Sequence, residues 1–277
     1  EGEDERVLRA VLTINSDRLA RPILIGRPEV VESRIKRIGI NLTIGKDFEL
    51  VNPQDDPRFY DYWTLYHTLM ERRGVSPEIA KAVVRTRTTV IAALMVKRGE
   101  ADAMLAGLNG RYHKVLQHII DVIGLKDQTP SSLSAVATDR GSYFITDTNV
   151  NPNPTAEELA SMAISAAERV QAFGKTPRLA LLSYSNFGTR DGNSPEKMRK
   201  ALKLIKQKAP ELQVEGEMDA EYALVPKIRS QVFPNGQYEQ KANLLIMPNL
   251  DTATTALTGF CRQRNLHQLL AVLPLSQ

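Results

Sequence analysis

The feature that most constrains the fold of this 277-residue chain is the alternation of short apolar runs with longer amphipathic segments. Short apolar runs bounded by turn residues are typical of strands buried on both faces of a sheet, and a 3.6-residue period is typical of helices. The alternation predicts an α/β fold in which mostly parallel sheets carry helices on their faces. The predicted strands are 20–26, 47–53, 101–107, 133–138, 142–146, 178–185, 212–216 and 243–248, with the fourth and fifth paired.

Proline, glycine and capping residues indicate where the helices begin and end. The sharpest break is the segment Asn151–Pro154. Thr155 follows it, and Glu158 stands three residues on, which is the pattern of a capping box. The predicted helices are 56–74, one that begins at 76–77, 88–98, 111–123, one that begins at Thr155, 195–208 and 220–232.

Turn-forming residues between Gly124 and Pro130 predict a domain boundary. The chain is long enough for two medium domains, so we expect a first α/β domain over 1–127 and a second over 128–277. The acidic start, Glu1–Glu5, lacks the apolar stretch of a signal peptide. A start on a loop also suggests a cut from a longer chain.

Composition narrows the class of protein. Hydrophobic residues make up 42% and charged residues 25%, as in soluble globular proteins, and no apolar run is long enough to span a bilayer. A single cysteine, Cys261, excludes an intrachain disulfide and indicates a reducing cytoplasm. The net charge is +4, and no lysine and arginine run is dense enough for nucleic acid. The net charge is compatible with a mixed, solvated surface and also with a pocket for a phosphate-rich small molecule.

Sequence motifs for metal binding, nucleophilic catalysis and Walker-type phosphate binding are missing. The four histidines lack metal-ligand spacing, so we expect no metal site. The sequence has neither a nucleophile elbow nor a phosphate-binding loop of the Walker type, and Cys261 has no neighbouring histidine in sequence. No residue is assigned a catalytic role on these grounds.

Polar residues that follow the predicted strands are the candidate ligand contacts, since ligands of open parallel sheets bind beyond the carboxyl ends of strands. The run 183–189 can hold an anion, or it can be a polar turn that caps a helix with Ser194. The turn after 101–107 can bind a ligand, or it can simply lead into a helix. The aspartate in the turn after 142–146 can contact a ligand, or it can stabilise the turn. The candidates are Ser183, Ser185, Asn186, Gly188, Gly107, His113, Asp147, Asn249 and Asp251.

Several motifs in order resemble the phosphate acetyl/butyryltransferase family over residues 1 to about 251. The segments Ser185–Gly188 and Gly110–His113 resemble the version of this family that is fused to malic enzymes. The other segments that carry the resemblance are Glu1–Leu8, Arg21–Pro28, Gly99–Leu105, Asp147–Asn151, Pro154–Ala160, Leu181–Gly188, Lys197–Leu202 and Ala242–Asp251.

The resemblance implies two doubly wound parallel-sheet domains, related to isocitrate dehydrogenase, with a cleft between them. Members usually dimerise. Active members exchange acetyl between coenzyme A and phosphate without a metal cofactor. An aspartate base deprotonates the thiol, and arginines and a serine hold the phosphoryl oxygens.

This sequence departs from the active pattern at three places. Met70 stands where active members carry an arginine, and His113 lies near the place of a second arginine. After Asp251 the chain does not match the segment that carries the catalytic serine, arginine and aspartate and closes the first domain. Because methionine cannot replace arginine in bidentate phosphate binding, we expect weak or no transacetylase activity.

The function implied is therefore that of a regulatory domain of an NADP-dependent malic enzyme, which oxidatively decarboxylates malate to pyruvate. The domain itself would bind no cofactor, with acetyl-CoA as a possible effector, whereas the parent would use NADP and a divalent metal. Expected partners are the upstream malic enzyme domains and a second copy of the chain. The alternatives are an active phosphate acetyltransferase and a purely structural dimerisation domain.

Overall fold

The computed structural model describes residues 1–125, 129–138, 141–262 and 268–273. The chain divides into two compact units, Glu1–Gly124 and Leu125–Leu275. The predicted boundary between 127 and 128 lies outside the described residues and stays a prediction. No described helix combines the length and the apolar character that crossing a membrane requires.

The first unit contains a two-stranded parallel sheet and six helices. The two strands are shorter than the predicted runs 20–26 and 47–53 but lie inside them. The elements are α1 Glu5–Ser16, β1 Ile23–Ile25, α2 Pro28–Ile38, β2 Glu49–Val51, α3 Phe59–Met70, a 3-10 turn Glu71–Arg73, α4 Pro77–Thr86, α5 Thr88–Lys97 and α6 Tyr112–Ile123.

Helix α5 forms the centre of the larger core of the first unit. Its residues Val90, Ile91, Ala93 and Leu94 are fully buried, so the helix is covered on more than one side. Helices that are apolar all round occur in the interior of a domain, which is why the run 88–98 carries no amphipathic period.

The predicted strand 101–107 is wrong, because no regular strand forms there. Leu105 is 94% exposed, and no described strand pairs with this segment. A strand needs a neighbour to satisfy its backbone groups, and propensity alone does not supply one. Helix α1 was not predicted from the sequence; its start is fixed by Asp4, whose carboxylate accepts the Arg6 amide at 2.9 Å.

The second unit is built on one six-stranded sheet with the order β6-β5-β7-β4-β3-β8. The pairs β6–β5, β5–β7 and β7–β4 are parallel, and β4–β3 and β3–β8 are antiparallel. The elements are β3 Ser131–Thr138, β4 Gly141–Thr146, α7 Ala156–Ala172, β5 Arg178–Leu182, α8 Asn193–Lys208, β6 Gln213–Met218, α9 Ala220–Leu224, α10 Pro226–Val232, β7 Leu244–Ile246, α11 Leu250–Arg262 and β8 Gln268–Leu273.

Helices cover both faces of this sheet. Along β5, Leu179 and Leu181 join the cluster formed with α7 and α8, whereas Ala180 and Leu182 join the cluster formed with α9 and α11. Side chains of a strand alternate between faces, so a continuous apolar run fits a strand buried on both sides. This arrangement confirms the predicted α/β fold with a mostly parallel sheet.

Two helix boundaries in the second unit follow from local chemistry. The capping box is confirmed, since the Glu158 amide donates to the Thr155 hydroxyl at 3.2 Å and the Thr155 amide donates to the Glu158 carboxylate at 2.7 Å. The single helix predicted over 220–232 is wrong, because Val225 separates α9 from α10. Val225 precedes Pro226, and the proline ring disfavours helical geometry in the preceding residue.

Candidate functional site

The loop between β5 and α8 is tied to the end of β6 by one buried carboxylate. Glu217 is 1% exposed, and its Oε1 atom accepts hydrogen bonds from the Ser185 hydroxyl at 2.8 Å and the Gly188 amide at 2.9 Å. The Arg199 guanidinium donates to the same oxygen at 2.9 Å. The candidate contacts Ser185 and Gly188 are therefore engaged within the protein.

Asn186 and Ser183 belong to the same turn. The Asn186 side chain donates to Asp219 at 2.9 Å and accepts the Asp219 amide at 2.7 Å. The Ser183 hydroxyl accepts the Ser185 amide at 3.4 Å. These bonds favour the polar-turn interpretation of the run 183–189. The expected cap at Ser194 is wrong, because α8 begins one residue earlier and has Gly192 at its N-cap, without a side-chain cap.

Asp147 organises the loop that leaves β4. Its Oδ1 atom accepts the Ser132 amide and hydroxyl at 2.9 and 2.5 Å, and the amides of Asn149 and Val150 at 3.1 and 3.2 Å. Its Oδ2 atom accepts the amide and the side-chain nitrogen of Asn151 at 2.8 and 2.6 Å. A carboxylate has about four lone-pair sites, so these six hydrogen bonds favour the turn-stabilising interpretation.

The two candidates in the first unit lie on its surface. The Gly107 amide and the Asn109 amide donate to Glu1 Oε1 at 3.2 and 3.0 Å, and the Leu108 amide donates to Oε2 at 3.2 Å. Gly107 has a φ of 110°, which favours glycine. His113 is exposed in the first turn of α6.

A cavity of about 330 Å³ lies where three helices of the second unit begin. These helices, α7, α8 and α11, follow the strands β4, β5 and β7, which are neighbours in the sheet. Asn249 is the predicted candidate that lines the cavity, whereas Asp251 is exposed in the first turn of α11. We call this space the Lys197 cavity; its lining residues are Asn153, Pro154, Thr155, Asn193, Ser194, Lys197 and Asn249.

Lys197 gives the cavity its charge. The Lys197 ammonium donates to Asn153 Oδ1 at 2.9 Å and to the Pro248 carbonyl at 2.8 Å, and both acceptors are neutral. Burial lowers the pKa of this ammonium, and no carboxylate of the described residues forms an ion pair with it. Helix N-termini present unpaired amides and the positive end of the helix dipole. The arrangement is therefore suited to an anion.

Sequence reasoning missed Lys197 and Asn153. Asn153 lies in the break 151–154, whose pattern predicts the start of a helix and not a ligand contact. Lys197 lies inside a lysine-rich helix, where the ordinary expectation is a solvated side chain.

An α/β unit with a mostly parallel sheet and a cavity at the carboxyl ends of its strands defines a protein of the open α/β class. Residues 1–263 match the family described as "Phosphate acetyl/butaryl transferase", and the chain belongs to this family. The match extends past Asp251, so the expectation that the resemblance ends there is wrong.

Relatives fall into two groups. The chain is 48% identical to the "NAD-dependent malic enzyme" of Rhizobium meliloti over 93% of its length, and 48% identical to the "NADP-dependent malic enzyme" of Escherichia coli over 91%. It covers 34% of each, about a third of their length. It is 32% identical to the "Phosphate acetyltransferase" of Nitratidesulfovibrio vulgaris over 91% of this chain and 36% of that protein.

A solved structure supports the fold. A phosphotransacetylase from Streptococcus pyogenes superposes with a TM-score of 0.92 at 24% identity, covering 100% of this chain and 84% of the other. At this identity the likeness shows the fold alone.

Proposed function

We propose that this chain is a phosphotransacetylase-like regulatory domain of a malic enzyme that binds acetyl-CoA as an allosteric effector, forms a dimer and has lost transacetylase activity. The parent would oxidatively decarboxylate malate to pyruvate with NADP, although the two malic enzyme relatives differ in nicotinamide cofactor. The chain is 48% identical to a malic enzyme over about a third of that enzyme's length, and 32% identical to a phosphate acetyltransferase. The higher identity supports the malic enzyme group.

Met70 is the observation that carries the loss of activity. Its side chain is 7% exposed and packs in the apolar cluster that contains Tyr62, Tyr66 and Val84. A buried thioether offers no donors, whereas an arginine in this place would offer a fork of N–H groups to a phosphoryl group. A lost contact of this kind costs roughly a hundredfold to a thousandfold in rate.

The polar residues at the strand ends support the same conclusion. Asp147 is a buried carboxylate whose six hydrogen bonds hold its loop, so it is not placed to take a proton from a thiol. Glu217 Oε1 holds the loop between β5 and α8, whereas the buried Oε2 has no hydrogen-bond partner among the described residues. Among the described residues, no three His, Cys, Asp or Glu side chains lie close enough to hold a metal ion. By the family resemblance, the metal of the malic reaction would belong to the upstream malic enzyme domains of the parent.

Regulation requires a coupling free energy between two distinct sites. Acetyl-CoA bound to this domain would restrain malate oxidation only if it prefers the less active state of the parent. The anionic phosphates of acetyl-CoA are chemically suited to the Lys197 cavity, which supports binding in the second unit.

Calorimetric titration with acetyl-CoA, followed by a phosphate-dependent acetyl-transfer assay on the same sample, tests this proposal. We expect saturable binding with turnover far below the ordinary enzymatic range of about 1–1000 s⁻¹. Sedimentation of the same sample should give the mass of two chains. Turnover within the ordinary range would refute the proposed loss of activity.

The second candidate function is an active phosphate acetyltransferase. It is favoured by the match of residues 1–263 to a family of that description. The same assay separates the candidates, because only an active enzyme would release coenzyme A in proportion to added phosphate. A dimer that binds no acetyl-CoA would instead favour the purely structural alternative.

A further inference from the structure

We propose that Lys197 anchors a phosphoryl group in the Lys197 cavity, with the amides at the start of α8 as additional donors. This inference rests on the proposed function for the identity of the larger ligand, since coenzyme A, an acyl phosphate and inorganic phosphate share the chemistry. It assigns a binding residue in the second unit that the strand-end pattern did not indicate.

Lys197 has a hydrogen-bond donor beyond those used in its observed contacts. An ammonium has three N–H donors, and the two observed acceptors are an amide oxygen and a backbone carbonyl. The facing carboxylate, Glu158, is engaged by the Thr155 amide at 2.7 Å. One donor of Lys197 therefore remains for a ligand, and Glu158 acts on its positive charge without forming an ion pair.

Lys200, on the same helix, is paired with a carboxylate. It lies one turn further along α8 and forms an ion pair with Glu157 at 2.6 Å, on the exposed surface. Lys197, in contrast, lines a cavity and has no such pair in the described part of the chain. The difference between two lysines three residues apart indicates that Lys197 is reserved for an anion from outside the protein.

The start of α8 differs from the starts of the two neighbouring helices. Helix α7 has its capping box, and the Asn249 side chain accepts the Thr252 amide at 2.9 Å at the start of α11. Helix α8 has no side-chain cap, and the amides of Asn193 and Ser194 bond to no described protein group. Both residues line the cavity, so their N–H groups are available to phosphoryl oxygens.

The volume of the cavity limits the size of the group that it can hold. A drug-sized ligand occupies a pocket of about 300–1000 Å³. At about 330 Å³, the cavity accommodates a phosphoryl group with the atoms next to it and not the whole of acetyl-CoA. The recognised unit is therefore the phosphoryl group, and the remainder of a larger ligand would lie outside the cavity.

Isothermal titration of the chain with inorganic phosphate, acetyl phosphate and acetyl-CoA tests the inference. Lys197→Met keeps the length of the side chain and removes the charge, and Lys200→Met on the same helix is the matched control. We expect at least about tenfold weaker binding of the tightest phosphoryl ligand to Lys197→Met, and less than twofold change for Lys200→Met. Lys197→Arg should restore part of the affinity, since it restores a cation.

Several outcomes separate this inference from the proposed function. Unchanged affinities in Lys197→Met, with a lowered melting temperature, would make Lys197 a structural tie between Asn153 and Pro248 and overturn the inference alone. Lys197-dependent binding of phosphate or acetyl phosphate without any binding of acetyl-CoA would support the inference and overturn the acetyl-CoA proposal. Binding of none of the three ligands by the unaltered chain would overturn both.

The dependence on pH provides a second readout that a structural role would not produce. Burial lowers the pKa of Lys197, so the ammonium loses its proton at a lower pH than an exposed lysine does. In the unaltered chain, phosphoryl binding should therefore weaken as the pH rises towards that lowered pKa. The already weak binding of Lys197→Met should not show this loss of affinity. Identical pH profiles in the two proteins would contradict the inference.

Discussion

The two units satisfy the polar groups of their loops in different ways. In the second unit, the buried Asp147 carboxylate accepts donors from its own loop and from β3, and buried Glu217 Oε1 accepts donors from the loop between β5 and α8. In the first unit, the amides 107–109 are exposed and share one surface carboxylate, that of Glu1. Buried networks fix loop geometry because leaving them half satisfied is costly, whereas exposed bonds can be exchanged with water. A preformed cavity is consequently expected in the second unit.

Loss of the Asp147 carboxylate should have the largest effect. Asp147→Ala removes the acceptor for six hydrogen bonds and leaves buried donors without partners. We expect the free energy of unfolding to fall by about 3 kcal/mol or more. Urea unfolding followed by circular dichroism measures this, and hydrogen exchange should increase in the segment 147–151.

Asp251→Ala is the matched control, because this aspartate follows a strand of the same sheet but is exposed. Its unfolding free energy should change by less than about 0.5 kcal/mol. Equal losses of unfolding free energy in the two variants would show that burial does not determine how much a strand-end carboxylate contributes to stability.

The first unit has one partly buried network of its own, centred on Tyr62. The Tyr62 hydroxyl donates to Glu100 Oε2 at 2.5 Å, and Arg58 donates to the same oxygen at 3.1 Å. Tyr62→Phe removes one donor while Arg58 remains, so we expect a loss of about 1 kcal/mol, smaller than for Asp147→Ala. Urea unfolding followed by the fluorescence of Trp63, the single tryptophan of the chain, reports on this unit.

Tyr60→Phe on the same helix controls for changes near the fluorophore. Tyr60 is 67% exposed and contacts the Trp63 ring edge-on at 5.4 Å between centroids. Removal of its hydroxyl should leave the unfolding midpoint unchanged. A loss in Tyr60→Phe as large as that in Tyr62→Phe would show that the hydrogen bond to Glu100 is not the cause.

The alternating pattern predicted most strands and helices because burial on two faces leaves a continuous apolar run in the sequence. The failures have local causes. The segment 101–107 has a strand-like composition, but pairing depends on a neighbour that no local pattern specifies. The break between α9 and α10 at Val225 is predictable from the sequence, because the residue before a proline disfavours helical geometry.

The sequence predicted the edge of the sheet at which the cavity lies, but not the residues that line it. The rule for parallel sheets points to the carboxyl ends of the strands of the second sheet, and Asn249 lines the cavity there. Which polar residues remain available depends on distances between distant segments. Lys197 meets Asn153 and Pro248, 44 and 51 residues away, so no spacing within α8 could distinguish it from Lys200.

The smallest expected effect is a pH-dependent one at the surface of the first unit. A hydrogen bond from Arg27 lowers the pKa of Glu3 from 4.5 to about 2. A depressed carboxylate pKa contributes stability that is fully present above about pH 4.5 and is lost as the pH falls towards 2. Because both side chains are partly exposed, solvent screening reduces the contribution to about 0.5 kcal/mol.

Glu3→Gln should therefore be less stable than the unaltered chain at pH 6 and equally stable near pH 2, in urea unfolding followed by Trp63 fluorescence. Glu32→Gln, on the exposed surface of α2, should match the unaltered chain throughout. The Glu3 difference should also shrink in high salt, because exposed ion pairs are screened. A difference that persists at pH 2 would show that Glu3 acts through contacts other than its charge, and the first unit would then resemble the second in depending on fixed polar contacts.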